Sequence, residues 1–116
     1  MTAASVQATA EDGSMHIALS GEIDLANVDA VEEEIRAAVS HQPNAVSVDL
    51  TELTYVDSAG IRMLFALASR LRELRIVLEL VVPLDSPTRR LIELSGFESL
   101  AALRPEATDR LPSGGF

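Results

Sequence analysis

The sequence contains no cysteine and no tryptophan, and aromatic residues make up 3% of it. Without cysteine there are no disulfides, no thiolate zinc sites and no thiol redox switch. With so few aromatics, the core has to be built from Leu, Ile, Val and Ala. Positive charge is also scarce. Lys and Arg total 9 against 18 Asp and Glu, a formal net charge of −9. Such a balance repels phosphate backbones, so direct nucleic-acid binding is not expected. No apolar run reaches the length of a membrane span. The longest, from Ile76 toward Leu84, is interrupted by Glu79 and meets Pro83. Met1-Thr2-Ala3-Ala4-Ser5 shows neither a basic n-region nor an apolar h-region. The expectation is a cytoplasmic protein without membrane insertion. His16 and His41 stand far apart with no metal-ligand spacing, so neither a metal nor a cofactor is expected.

Hydrophobic residues are plentiful, at 47% of 116. That suffices for one domain of ordinary size and argues against disorder. Val6 to Ala10 reads as a short strand. Glu11-Asp12-Gly13-Ser14 is a turn signal. Met15 to Ser20 alternates apolar and polar, as a half-buried strand does. The two segments should pair as a hairpin. Gly21-Glu22-Ile23-Asp24 reads as a loop. A helix follows over Leu25 to Ser40, with Val28, Val31, Ile35, Ala38 and Val39 on one face. Asp24 or Asn27 is its candidate cap, and Glu32 with Arg36 makes an i,i+4 pair.

Ala45 to Leu50 reads as a strand. A second helix carries Ile61, Leu64, Phe65, Ala68, Leu71 and Leu74 on its apolar face, with Arg62, Arg70, Arg72 and Glu73 off it. Met63 is expected at its packing flank. Ile76 to Val82 is nearly continuous apolar sequence, as in a strand covered on both faces or nearly so. Strand, helix and strand over this stretch form a βαβ unit with a right-handed crossover. Ser86-Pro87 opens a third helix, Ser as N-cap and Pro at the first helical position. Gly96 should end it, with Phe97 folding back on the last turn. Arg89 and Arg90 are expected on its solvated face. Ser99 to Leu103 is a candidate edge strand. Pro105 to Leu111 is a candidate short helix, and the residues after it should be loose.

The functional question centres on Asp57-Ser58-Ala59-Gly60, where strand and loop hand over to the second helix. A hydroxyl at Ser58 has two readings. It can cap the helix. It can also be exposed to a kinase, with the helix N-terminus stabilising the added negative charge. Ala59 and Gly60 are small enough to let another backbone approach. Asp57 is itself a candidate cap. Thr54 and Tyr55 carry neighbouring hydroxyls and read first as loop packing. An enzyme reading is poor. The position two before Ser58 is Val56, where a nucleophile elbow needs glycine. Neither histidine is near in sequence, and no Walker lysine follows a Gly-rich loop.

Three stretches together carry a resemblance: Gly21-Glu22-Ile23-Asp24; Val48-Asp49-Leu50 through Asp57-Ser58-Ala59-Gly60-Ile61; and Ser86-Pro87 through Leu94-Ser95-Gly96-Phe97. In order and spacing the chain resembles the STAS domains, and within them the stand-alone bacterial anti-sigma factor antagonists. The match covers roughly residues 5 to 103 of a single domain spanning 1–116, leaving 104–116 as a tail. The resemblance implies an α/β fold, a small mixed β-sheet with helices packed mainly on one face. It also implies a partner switch. The unphosphorylated antagonist binds an anti-sigma factor that is also a GHKL-type serine kinase. Phosphorylation at the position of Ser58 breaks that complex, and a PP2C-type phosphatase resets it. The partner-binding surface expected on this basis comprises Asp24, Asp57, Ser58, Ala59, Gly60 and Arg62. STAS domains also serve as subunits of lipid ABC transporters, where Ser58 would act only as a cap. Relatives often have a Gly-rich turn before the fourth strand, and Leu74-Arg75-Ile76 has none. The sequence leaves open whether the chain forms a homodimer.

Overall fold

The computed structural model describes residues 3–106. Strand β1 (Ala4–Glu11) and strand β2 (Ser14–Ile23) form the expected hairpin across the Asp12-Gly13 turn. Then follow helix α1 (Val28–Ala38), strand β3 (Ala45–Val56), helix α2 (Ser58–Glu73), strand β4 (Val77–Val81), helix α3 (Pro87–Leu94), a short 3-10 turn (Phe97–Ser99) and strand β5 (Ala102–Arg104). The strands lie in the order β1-β2-β3-β4-β5. β1 and β2 are antiparallel, and the remaining neighbours are parallel. This is the expected small mixed sheet.

One face of the sheet carries the core. Met15, Ile17 and Leu19 of β2, Val46, Val48 and Leu50 of β3, and Leu78 and Leu80 of β4 are buried there. The alternate residues His16, Ala18, Ser47 and Glu79 are exposed or half-buried. The helices supply the other half of the core through Val31 and Ile35 of α1 and Leu64, Ala68 and Leu71 of α2. Met63 is buried too. Two of the four aromatics meet in one contact, Phe65 of α2 against the fully buried Phe97, ring centroids 4.7 Å apart. Gly96 takes the left-handed conformation just before it, as expected of the position that ends α3.

Several boundaries differ from the sequence reading. The stretch Gly21-Glu22-Ile23 is the end of β2, not a loop. β3 runs on to Val56, six residues past Leu50, so Thr54 and Tyr55 sit on a strand. α1 starts at Val28 because Asp24 to Asn27 form a turn. β4 is covered on both faces only toward its C-terminal end: on one face Val77 is exposed, Glu79 half-buried and Val81 buried. Arg89 is not on a solvated face. It is 9% exposed, donating from one guanidinium nitrogen to the Val82 carbonyl at 2.8 Å and from Nε to Glu93 at 2.9 Å. The candidate helix over Pro105 to Leu111 and the loose end after it fall, from residue 107, outside the described residues.

The extra length of β3 positions the site. Its register with β2 shifts twice, between Ala18/Ser20 and between Gly21/Glu22. Each shift places one more residue on β3 than on β2, which is a β-bulge and tightens the local twist. Thr54 pins the second by donating its hydroxyl to the Gly21 carbonyl at 3.0 Å. Gly21 has φ +89, and a Cβ there would lie 2.3 Å from the Ala3 carbonyl oxygen, so glycine is required. The outcome is that Ile23 and Val56 end level with each other. The turns that leave the two strands, at Asp24 and Asp57, are therefore neighbours.

Candidate functional site

Asp57 is the N-cap of α2. It has extended backbone, and its Oδ1 accepts from Ala59 N–H at 2.9 Å and Gly60 N–H at 3.2 Å. Its other oxygen, Oδ2, accepts from Leu25 N–H at 3.2 Å, across 32 residues of sequence. The Asp57 N–H donates to the Ile23 carbonyl at 3.2 Å. One residue thus caps the helix and joins the two strand-to-helix turns.

The cap position being taken, Ser58 is the first helical residue. Its side chain is exposed, and its hydroxyl makes no hydrogen bond among the described residues. The capping reading therefore passes to Asp57, and the Ser58 hydroxyl is left to solvent. The expectation that a phosphate there would meet open helix N–H groups changes in one respect. Those of Ala59 and Gly60 are already bonded to Asp57. What remains for an anion at Ser58 is that residue's own N–H, the helix dipole and Arg62, exposed one turn along the same face.

Asp24 lies across the junction. Its Oδ1 accepts from Ala26 N–H at 2.9 Å, and its own N–H donates to Asn27 Oδ1 at 3.0 Å. The Asn27 amide nitrogen donates in turn to the Glu22 carbonyl at 2.9 Å. Asn27 holds the N-cap position of α1 without a side-chain capping bond, and Asp24 lies three residues before it. Both build the turn that raises Leu25, which is 74% exposed. The sequence reading placed Leu25 inside a helix and missed it. No signal in the sequence could have found it, because Leu25 stands three residues before Val28 and continues the apolar stripe of a helical reading.

Ala59 and Gly60 are buried, so their small size serves the fold first. A Cβ on Gly60 would come within 2.3 Å of Val56 Cγ2 and 3.2 Å of Ile23 Cγ2. The structure thus gathers Asp24, Asp57, Ser58 and Arg62 on one end of the sheet, over a floor that includes Ala59 and Gly60. Tyr55, half exposed, extends this end toward α3, where Leu91 and Leu94 border a groove with Thr54 and Pro87. Among the described residues no group of three or more His, Cys, Asp or Glu could hold a metal ion. None of the described helices is long and apolar enough to cross a membrane.

The chain matches the family described as "Mlab, STAS domain" over residues 6–105. It is 35% identical over 89 residues to a Bordetella bronchiseptica protein provisionally named as the anti-sigma factor antagonist BtrV, covering 77% of this chain and 76% of that one. It is 32% identical over 100 residues to the anti-sigma-F factor antagonist RsfB of Mycobacterium tuberculosis, covering 86% of this chain and 80% of the relative. The crystal structure of an anti-sigma factor antagonist from Mycobacterium paratuberculosis superposes with a TM-score of 0.76 at 30% identity, covering 89% of this chain and 86% of the other.

Proposed function

The chain belongs to the STAS-domain family, and from that premise we propose that it is an anti-sigma factor antagonist working by partner switching. It acts as a regulatory binding protein and not as an enzyme. In its unphosphorylated form it binds an anti-sigma factor that is also a GHKL-type serine kinase. That kinase phosphorylates Ser58, the complex comes apart, and a PP2C-type phosphatase restores the binding form. The contact surface is Asp24, Leu25, Asp57, Ser58 and Arg62, shaped underneath by Ala59 and Gly60.

The observation that carries this reading is the division of labour between Asp57 and Ser58. The cap is supplied by Asp57, so the Ser58 hydroxyl has no structural task and stands exposed at a helix start. Phosphorylation adds about −1.5 to −2 charge at neutral pH. Within this chain the helix dipole offsets part of that charge. A partner packed on Leu25 and Ser58 has to accommodate a hydrated dianion where it met a hydroxyl, beside the existing carboxylate of Asp57. The penalty falls on the complex more than on the fold. The relatives named as anti-sigma factor antagonists support the same role. They favour it over a lipid-transporter subunit, in which a free hydroxyl at Ser58 has no use.

The test is incubation of the purified chain with its cognate anti-sigma kinase and ATP, followed by peptide mass spectrometry. Phosphate on Ser58 is expected, together with loss of the complex on a sizing column. Phosphate on another residue, or none, would overturn the proposal.

A further inference from the structure

The sheet has two edges, and they are treated differently. At one, β5 is three residues long, is followed by Pro105, and has Arg104 ion-paired with Glu79 on β4. Shortness, charge and proline are the usual means of keeping an edge from pairing. At the other, β1 is eight residues long, and from Ala4 to Ala10 it has no charge and no proline.

The direction of its backbone groups follows from the register. Glu11 pairs with Ser14 across the two-residue turn, which makes them a hydrogen-bonded pair. Alternation then turns the N–H and C=O groups of Ser5, Gln7 and Thr9 inward to β2. The bond from Glu22 N–H to the Ala3 carbonyl, 2.9 Å, continues the same parity. Ala4, Val6, Ala8 and Ala10 direct theirs outward, and no backbone group among the described residues meets them.

The sequence of this edge reads nearly the same in both directions about Gln7. Ala4 mirrors Ala10, Ser5 mirrors Thr9, and Val6 mirrors Ala8. In a two-fold interface residue i of one copy meets residue j of the other and j meets i, and about Gln7 every such pair joins small or uncharged residues. We propose that β1 of one copy pairs antiparallel with β1 of a second copy about an axis through Gln7, making one sheet continuous across both chains. In that register Ala4 meets Ala10 and Val6 meets Ala8 of the other copy, so every outward group of the segment is bonded. Ser5 faces Thr9 and Gln7 faces Gln7, all uncharged. Glu11 falls opposite Ala3, which keeps the two acidic ends apart. The opposing force is the net charge of −9 on each chain, screened over about 8 Å at physiological salt. The proposal is independent of the Ser58 switch, since β1 lies at the sheet edge and takes no part in the junction at Asp57.

Sedimentation velocity of the full chain over a concentration series at physiological salt reads the association. The wild type should be a dimer at high concentration. Ala8→Pro removes an outward N–H and leaves the β1–β2 ladder intact; it should be monomeric with an unchanged circular dichroism spectrum. Ala8→Lys should also be monomeric and serves if the proline variant fails to fold. The absence of cysteine allows a direct check of register. Gln7–Gln7 is a non-hydrogen-bonded pair with Cα atoms about 4.5 Å apart, within disulfide range. Gln7→Cys should therefore crosslink to a disulfide dimer under mild oxidation, and Ser5→Cys should not. A wild type that stays monomeric at its highest soluble concentration overturns the proposal. So does a dimer that survives both Ala8 variants, or one that crosslinks as readily through Ser5→Cys as through Gln7→Cys.

Discussion

The Asp57 carboxylate holds the backbone of Leu25: Oδ2 accepts its N–H at 3.2 Å while Oδ1 serves Ala59 and Gly60. The exposed apolar side chain and the exposed hydroxyl of Ser58 thus share one anchor. Asp57→Ala should cost about 1–2 kcal/mol in urea unfolding, the usual cost of a lost N-cap. Asp57→Asn separates the two tasks. Its amide oxygen can still cap α2, but its NH2 group faces the Leu25 N–H, donor against donor. Stability should stay near wild type while amide exchange at Leu25 speeds up. Equal exchange at Leu25 in wild type and Asp57→Asn would show that the cross-turn bond does not hold that loop.

Gly60→Ala sets helix propensity against packing. Alanine in a helix interior gains up to about 1 kcal/mol over glycine. The added methyl, however, meets Val56 Cγ2 at 2.3 Å and Ile23 Cγ2 at 3.2 Å, both on buried β-branched side chains. Overpacking of this kind costs about 1–3 kcal/mol. Net destabilisation is expected, read as a lower urea midpoint at unchanged m-value. The same shift moves the start of α2, so partner binding should fall with Ser58 untouched. A variant more stable than wild type would mean that the junction repacks freely.

Most of the fold was legible because its elements obey local rules. The alternation of Met15, Ile17 and Leu19 and the Ser86-Pro87 helix start each indicated the observed element, as did Gly96 for the end of α3. What failed depended on tertiary pairing. Gly21 to Ile23 and Thr51 to Val56 look like loops, since two β-bulges break the strand periodicity there. Their pairing with each other makes them strand. Arg89 reads as a surface residue until the Val82 carbonyl is placed beside it. At the site, the motif located Ser58. It could not decide between Ser58 and Asp57 as cap, because either side chain can reach a helix N–H. It gave no sign of Leu25, whose exposure follows from the hydrogen bonds of Asp24 and Asn27.

The missing glycine before β4 has a structural consequence at Arg75, which has φ +62. Its N–H donates to the Arg72 carbonyl at 3.0 Å, and the Ile76 N–H donates to the Leu71 carbonyl at 2.8 Å. That pair of bonds is the helix-ending motif in which glycine is preferred. A left-handed conformation costs a residue with a Cβ about 1–2 kcal/mol, partly offset by the greater freedom of glycine when unfolded. Arg75→Gly should therefore stabilise the chain by about 0.5–1 kcal/mol, seen as a raised thermal midpoint. A fall would indicate that the Arg75 side chain makes a compensating contact.

Ser58 and Arg62 are four residues apart on an exposed helix face, the acid-before-base order that suits a charge pair once Ser58 becomes anionic. Ser58→Asp brings in negative charge without a kinase, and a double-mutant cycle with Arg62→Gln isolates the pair. Arg62→Gln alone should change stability by less than about 0.5 kcal/mol, as expected for a surface residue. Ser58→Asp alone should be close to neutral, the helix dipole favouring the charge and Asp57 opposing it. The coupling should be about 0.3–0.5 kcal/mol at low salt and decline as salt is added. Such coupling would show that the chain carries its own counter-charge for a modified Ser58. Destabilisation of the complex would then reflect the partner's intolerance of the anion and not strain in this fold. No coupling at low salt would leave the helix dipole as the sole compensation. Ser58→Asp should in that case still be close to neutral in the free chain at every salt concentration, the dipole alone offsetting Asp57.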